Sequence, residues 1–217
     1  MFTGIIQEVG RVARTQTVGG GIHITVEAPH ALEELKVNDS VSINGVCQTV
    51  IDRDETAFTV EAVEETLRKT TLGELKRSSQ VNLELPMKLD DRVGGHLVQG
   101  HVDGVGVVKS VKELESSWLI TIVIPKEFMR YVIPVGSIAV DGVSLTIASV
   151  NGNEVVVSII PHTMEHTTFG KLREGSRVNL EFDLIGKYVE RLLIGDKGKE
   201  STGSISQEKL NAWGYGG

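Results

Sequence analysis

Asn44-Gly45-Val46-Cys47-Gln48-Thr49 returns later in the chain as Asp141-Gly142-Val143-Ser144-Leu145-Thr146. Two further blocks return in the same register. Thr66-Leu67-Arg68-Lys69-Thr70-Thr71-Leu72-Gly73 is matched by Thr163-Met164-Glu165-His166-Thr167-Thr168-Phe169-Gly170, and Val81-Asn82-Leu83-Glu84 by Val178-Asn179-Leu180-Glu181. Gly45 to Gly142, Thr66 to Thr163 and Val81 to Val178 are all displacements of 97. One match is coincidence, but three in register mean two copies of one unit. A unit this long is a domain rather than a solenoid repeat.

Working outward from the repeat, the dominant signal is strand. Ile22, Ile24 and Val26 alternate with His23, Thr25 and Glu27, the pattern of a strand with one buried face. Phe58 to Ala62 and Val81 to Leu85 repeat it, and the second copy carries Trp118 to Ile124, Val155 to Ile160 and Val178 to Phe182. Glycines punctuate these runs, and short strands at regular spacing indicate an antiparallel barrel or sandwich. The reading is all-β, with about six strands per copy. Pro29 and Pro125 each open a short helix, over 30–36 and 126–131, because proline suits the first helical position. The copies span 1–90 and 94–183. Beyond them Leu184, Tyr188 and Leu192, with Ile185, Val189 and Leu193, form an apolar helical stripe that the first half lacks. This stripe is expected to meet other copies of the chain. Residues 195–203 read as flexible, and Ser204 with Gln207 as the cap of a last helix reaching Trp213. The segment 184–217 is therefore a helix followed by a tail.

The 217 residues carry a net charge of −7 and 40% hydrophobic residues, an ordinary globular composition. The acidic balance argues against a nucleic-acid partner. No membrane span is expected, and no signal peptide, since Met1 lacks a charged region followed by an apolar one. The single Cys47 forms no internal disulfide and no cysteine metal site, and it fits a cytoplasmic setting.

Both copies place a small nucleophile-type side chain two residues before a threonine, Cys47/Thr49 and Ser144/Thr146. Residues two apart share a strand face. Ser40 corresponds to Ser137. Taken singly, these residues read as structural, Thr49 and Thr146 satisfying turn hydrogen bonds and Cys47 filling the core. No Gly-x-Ser-x-Gly elbow surrounds Ser144, and a Ser–His relation to His101 would need the fold to make it. His162 and His166 have the spacing of helix-borne metal ligands, but no third ligand is evident and no metal is expected. Phosphate-binding and dinucleotide-binding glycine motifs are missing. The most distinctive stretch is Gly94-Gly95-His96-Leu97-Val98-Gln99-Gly100-His101-Val102-Asp103-Gly104. It opens the second copy as Met1 to Gln7 opens the first, aligning Gly4 with Gly100 and Ile5 with His101. By copy, one half offers Cys47 and Ile5, the other Ser144 and His101.

Met1-Phe2-Thr3-Gly4-Ile5, Asn44-Gly45-Val46-Cys47, Gly94 to His101, Asp141 to Thr146 and Thr167-Thr168-Phe169-Gly170 together resemble the riboflavin synthase family, alpha-chain type, from Met1 to about Leu193. That resemblance implies two closed six-stranded Greek-key barrels and a C-terminal helix joining three chains. It implies dismutation of two 6,7-dimethyl-8-ribityllumazine molecules, one donating a four-carbon unit to the other. The products are riboflavin and 5-amino-6-ribitylaminouracil. No cofactor or metal is needed. The active site is shared between barrels of neighbouring chains in a homotrimer, and association with lumazine synthase is a further expectation. Two identical reactants need two similar pockets with different local groups.

By motif position, the first pocket is expected to use Gly4, Ile5 and Ile6, with Cys47, Gln48, Thr49, Glu61, Ala62, Val63 and Thr66. The second is expected to use Gly100, His101 and Val102, with Ser144, Leu145, Thr146, Ser158, Ile159, Ile160, Pro161, His162 and Thr163. The chemistry is expected of His101, Ser144 and Cys47, supported by Ser40, Thr146, Asp183 and Phe2. His101 or Ser144 assists proton loss from the 7-methyl group of one substrate, and Cys47 or Ser40 delivers a nucleophile, such as water, to the ring of the other. Val135 stands where some relatives carry a lysine that reaches the ligand across the interface, and Gln48 where relatives often have leucine. The alternatives are a non-catalytic lumazine- or flavin-binding protein of the same fold, a ferredoxin-reductase-type flavin barrel and an oligonucleotide-binding barrel. The ferredoxin-reductase type lacks its Arg-x-Tyr-Ser/Thr motif here, and the oligonucleotide barrel is disfavoured by charge.

Overall fold

The computed structural model describes residues 1–195 and Trp213. The first barrel comprises β1 (Glu8–Val18), β2 (Gly21–Glu27), β3 (Ser40–Ile43), β4 (Val46–Arg53), β5 (Ala57–Ala62) and β6 (Gln80–Glu84). The second comprises β7 (Gly104–Glu113), β8 (Trp118–Val123), β9 (Ser137–Val140), β10 (Val143–Asn151), β11 (Glu154–Ile159) and β12 (Arg177–Phe182). Each closes in the cyclic order first-second-fifth-fourth-third-sixth with antiparallel neighbours, a Greek key. Closure leaves neither barrel with a free sheet edge.

The alternation read from sequence becomes the inside and outside of these barrels. Ile24, Val26, Phe58 and Val60 are fully buried in the first core, and Ile120, Ile122, Val155 and Val157 in the second. The register slips at Val12/Arg14 and Val50/Asp52, and at the corresponding Val108/Ser110 and Ile147/Ser149. Such bulges bend and twist a strand, as a small closed barrel requires. The repeated Asn-Gly and Asp-Gly pairs are two-residue hairpin turns. Asn44, Gly45, Asp141 and Gly142 all have φ between 45° and 81°, as the primed hairpin turn demands at both central positions.

The helices expected after Pro29 and Pro125 are both tighter than read, and the first is also shorter. They are 3-10 turns over Ala31–Glu33 and Lys126–Tyr131, the first folding Ala31 and Leu32 into the barrel. Two six-residue helices lie outside the elements expected from the sequence, α1 (Glu64–Lys69) and α2 (Pro161–His166). Each runs into a 3-10 turn capped by the first threonine of the Thr-Thr repeat. Thr70 accepts from the Leu72 amide and Thr167 from that of Phe169, which drives Leu72 and Phe169 into the cores.

The barrels meet around Gly45 and Gly142, where a Cβ on Gly45 would lie 2.6 Å from the Gly142 nitrogen. The contacts there are reciprocal. Asn82 Nδ2 donates to the Asp141 carbonyl at 3.0 Å and Asn179 Nδ2 to that of Asn44 at 2.9 Å. Their Oδ1 atoms accept from the Thr168 and Thr71 amides, each at 2.8 Å. Both asparagines are buried with the nitrogen and the oxygen of each side chain hydrogen-bonded to the facing barrel, so this pair of side chains specifies how the barrels dock. The third helix, α3 (Leu184–Gly195), presents Ile185, Tyr188, Val189, Leu192 and Leu193 as exposed apolar side chains. The helix expected near Ser204 to Trp213 falls outside the described residues, apart from Trp213 itself. No described helix is long and apolar enough to cross a membrane.

Candidate functional site

Two cavities occupy equivalent places on the barrels. One, of about 180 Å³, is lined by Val46, Cys47, Glu65, Thr66, Lys69, Thr70, Gly100, His101 and Val102. The other, of about 160 Å³, is lined by Val143, Ser144, His162, Thr163, His166, Thr167, Gly4, Ile5 and Ile6. Residue for residue the linings correspond through the repeat, but the arm tripeptides have changed places.

This exchange corrects the grouping drawn from the sequence. Gly4 to Ile6 precede the first barrel yet line the pocket of the second, where Gly4 O accepts the Ser144 amide at 2.8 Å. Gly100 to Val102 precede the second barrel yet line the pocket of the first, where Gly100 O accepts the Cys47 amide at 2.9 Å. Ile6 packs on the second core and Val102 on the first. The arms cross as an antiparallel pair, with Phe2 and Val98 exchanging both backbone bonds at 2.7 and 3.1 Å. Two glycines make the crossing possible. Gly4 and Gly100 have φ of +76° and +79°, and a Cβ on either would lie 2.5 Å from Ser144 Cβ or 2.6 Å from Cys47 Cβ.

Each arm is tied back to its own barrel by a buried carboxylate. Glu84 accepts from the Thr3 amide at 2.6 Å, the Thr3 hydroxyl at 2.7 Å and the Gly4 amide at 3.0 Å. Glu181 accepts from the Gln99 amide at 2.7 Å and the Gly100 amide at 2.9 Å. Burial pushes the Glu84 carboxyl above its usual range, and the hydrogen bonds from Thr3, Gly4 and Ile5 oppose it.

His101 therefore stands with Cys47, not with Ser144. The histidine beside Ser144 is His96, whose Nδ1 lies 2.7 Å from Ser144 Oγ. Burial lowers the His96 pKa, and the charge of nearby Asp183 pulls it back up. A neutral imidazole keeps a lone pair for a hydroxyl proton. Its Nε2 is buried with no protein partner among the described residues. His96 immediately precedes the stretch that aligns with Met1 to Gln7. His96 lies in the distinctive 94–104 stretch, outside the site residues expected from the sequence. Its signal is a histidine at the edge of a matched frame.

The remaining expected residues sit as follows. Phe2 is fully buried with Val98 and Ala139, against Cys47. Ser40 pairs with Thr49 on β3 and β4, and Thr146 with Ser137 on β10 and β9. Each pair lies two residues along the ladder from Cys47 or Ser144 and outside the cavity linings. Gln48 is buried and donates to the Cys47 carbonyl at 2.6 Å. Leu145 packs on the second core. Ala62 and Ile159 are core residues, Glu61 is 3.8 Å from His23, and Ser158 is exposed on β11. Val63 and Ile160 precede α1 and α2, and Pro161 begins α2. Val135 is 78% exposed at φ +61°. Among the described residues no group of three His, Cys, Asp or Glu side chains is placed to hold a metal ion.

Comparison with known proteins places this geometry. A model of the lumazine binding domain matches residues 3–86 and again 99–183. The chain is 40% identical over 215 residues to a riboflavin synthase of Actinobacillus pleuropneumoniae, covering 99% of this chain and 100% of that protein. It is 37% identical over 215 residues to a riboflavin synthase of Bacillus subtilis, with the same coverage. It is 42% identical over 197 residues to a riboflavin synthase of Mycobacterium bovis, covering 89% of this chain and 98% of the relative. A crystal structure of LumP complexed with riboflavin superposes with a TM-score of 0.79 at 24% identity, covering 84% of this chain and 99% of LumP, a likeness of fold.

Proposed function

This chain belongs to the riboflavin synthase family of paired lumazine-binding domains, and we propose that its two matched pockets each hold one of two reacting lumazines. The reaction is the dismutation of two 6,7-dimethyl-8-ribityllumazine molecules into riboflavin and 5-amino-6-ribitylaminouracil. Fixing two reactants in register converts a bimolecular encounter into an internal step, worth up to about 7–11 kcal/mol of the reaction barrier.

The observation that carries the assignment of roles is the 2.7 Å contact between His96 and Ser144, which has no equivalent in the first pocket. His96 draws the Ser144 proton, and the oxygen takes a proton from the 7-methyl group of the lumazine in the second pocket. The resulting carbanion is the four-carbon donor. In the first pocket, Cys47 and His101 face the acceptor ring and deliver the nucleophile that activates it. Thr66 and Thr163, with the arm backbones, hold the two heterocycles.

The same proposal includes a homotrimer in a cytoplasmic setting, with domains 1–90 and 94–183 as the two binding units. The cavities of about 180 and 160 Å³ fall below the ~300–1,000 Å³ of a complete ligand pocket. That supports a site in which the pocket of one chain closes over the other-barrel pocket of its neighbour. The exposed apolar side chains of α3 support assembly through that helix. Association with lumazine synthase would place the source of substrate beside its consumer.

The test is direct. Purified protein is mixed with 6,7-dimethyl-8-ribityllumazine alone and riboflavin is followed by absorbance. Formation of riboflavin with an equal amount of the aminouracil supports the reading. Tight binding without conversion would instead make this chain a binder. Sedimentation gives the assembly, and co-sedimentation with lumazine synthase tests that association.

A further inference from the structure

His162 and His166 stack their rings with centroids 4.0 Å apart and planes 25° from parallel. Nδ1 of His166 lies 2.8 Å from the carbonyl oxygen of His162. A carbonyl can only accept, so this nitrogen carries the proton, and the neutral ring has its lone pair on Nε2. A backbone carbonyl holding the far nitrogen is how proteins orient a metal-binding histidine. Both side chains line the second pocket. The equivalent positions on α1 are Glu65 and Lys69, which satisfy each other at 2.8 Å. The imidazole pair is therefore a feature of one pocket only.

We propose that His162 and His166 form a two-histidine chelate for a divalent transition ion, Zn²⁺ or Ni²⁺, at the mouth of the second pocket. Imidazole suits both ions. Two nitrogens at about 2.0–2.1 Å from a tetrahedral ion are about 3.3 Å apart, and the two rings lie with centroids 4.0 Å apart on exposed residues. No third His, Cys, Asp or Glu among the described residues completes the set. Waters fill the other positions, so the ion exchanges freely and serves no structural role. It lies where Ser144 and the arm residues Gly4 to Ile6 face the cavity, so ion and substrate compete for one space. The competition rests on the assignment of this pocket to a lumazine; the chelate does not.

The full-length protein is titrated with ZnCl₂ by calorimetry without substrate, then assayed with lumazine at several zinc concentrations. The expected result is about one ion per chain, with H162Q and H166Q each weakening binding by about tenfold or more and C47S leaving it intact. Zinc should raise the apparent KM for the lumazine, reversibly with EDTA. Absence of binding at millimolar zinc, or binding unchanged in the H162Q/H166Q double variant, overturns the chelate. Binding that leaves KM unchanged in a working enzyme overturns the competition. A protein that binds zinc as expected but makes no riboflavin refutes the function and leaves the chelate standing.

Discussion

Asn44 and Asp141 occupy equivalent hairpin turns on facing barrels, and only one of them can ionise. Asn44 Oδ1 accepts the Asn82 amide at 2.8 Å, and Asp141 Oδ1 accepts the Asn179 amide at the same distance. Asp141 is buried, and burial pushes its pKa up to about 7 against the Asn179 hydrogen bond. The groups packed around it are neutral: Asn44 and Asn82 from the first barrel, Asn179 from β12.

A carboxyl whose folded pKa lies above its unfolded value favours the protonated folded state. Its contribution to stability is present below the unfolded value and is lost as pH rises from about 4 to about 7, by up to about 4 kcal/mol. Asp141→Asn should therefore flatten the pH dependence and raise the melting temperature at pH 8, since Asn44 proves an amide fits this turn. Thermal denaturation of both proteins from pH 5 to pH 8 checks it. A variant no more stable than the parent at pH 8 contradicts the account.

Glu84 belongs to the first barrel but fixes the arm that lines the second pocket. Glu84→Ala leaves the Thr3 and Gly4 amides without their acceptor, each orphaned buried donor costing about 1–3 kcal/mol. The expected outcome is a lower melting temperature together with lost ligand affinity in the second pocket, while the pocket containing Cys47 keeps its own. Fluorescence titration with riboflavin, in variants that disable one pocket at a time, separates the two.

His96→Gln should cut turnover by about 10²- to 10⁴-fold, the usual worth of a positioned base. It should also slow exchange of the 7-methyl protons of bound lumazine into deuterated water, followed by NMR. Cys47→Ser should slow turnover but spare that exchange. Because Asp183 raises the His96 pKa, Asp183→Asn should move the acid limb of the pH–rate profile to lower pH.

Val135 has φ +61° where the first copy has Asn38 at φ +76°. A β-branched residue in the left-handed region costs about 1–2 kcal/mol, and the 78% exposed side chain recovers little of that by packing. Val135→Asn should stabilise the fold by about 1 kcal/mol, read as a higher melting temperature.

The repeat, the strands and the two-barrel plan were legible in the sequence because they rest on side-chain periodicity and turn chemistry. Alternation at Ile22 to Val26 sets a buried face, and Asn44-Gly45 demands a left-handed hairpin turn. Helices α1 and α2 escaped because six residues hold less than two turns, too few for a period to show. Which arm lines which pocket escaped for a different reason. The arms 1–7 and 94–102 bind through backbone amides and carbonyls, which look alike in any sequence. Which barrel edge each arm joins was decided by Gly4 against Ser144, Gly100 against Cys47, and the buried carboxylates of Glu84 and Glu181. Sequence alone determined that there are two pockets with matched frames and unmatched groups. Only tertiary structure decided that His101 lies with Cys47 and His96 with Ser144, since that proximity is made by two chain segments crossing in space.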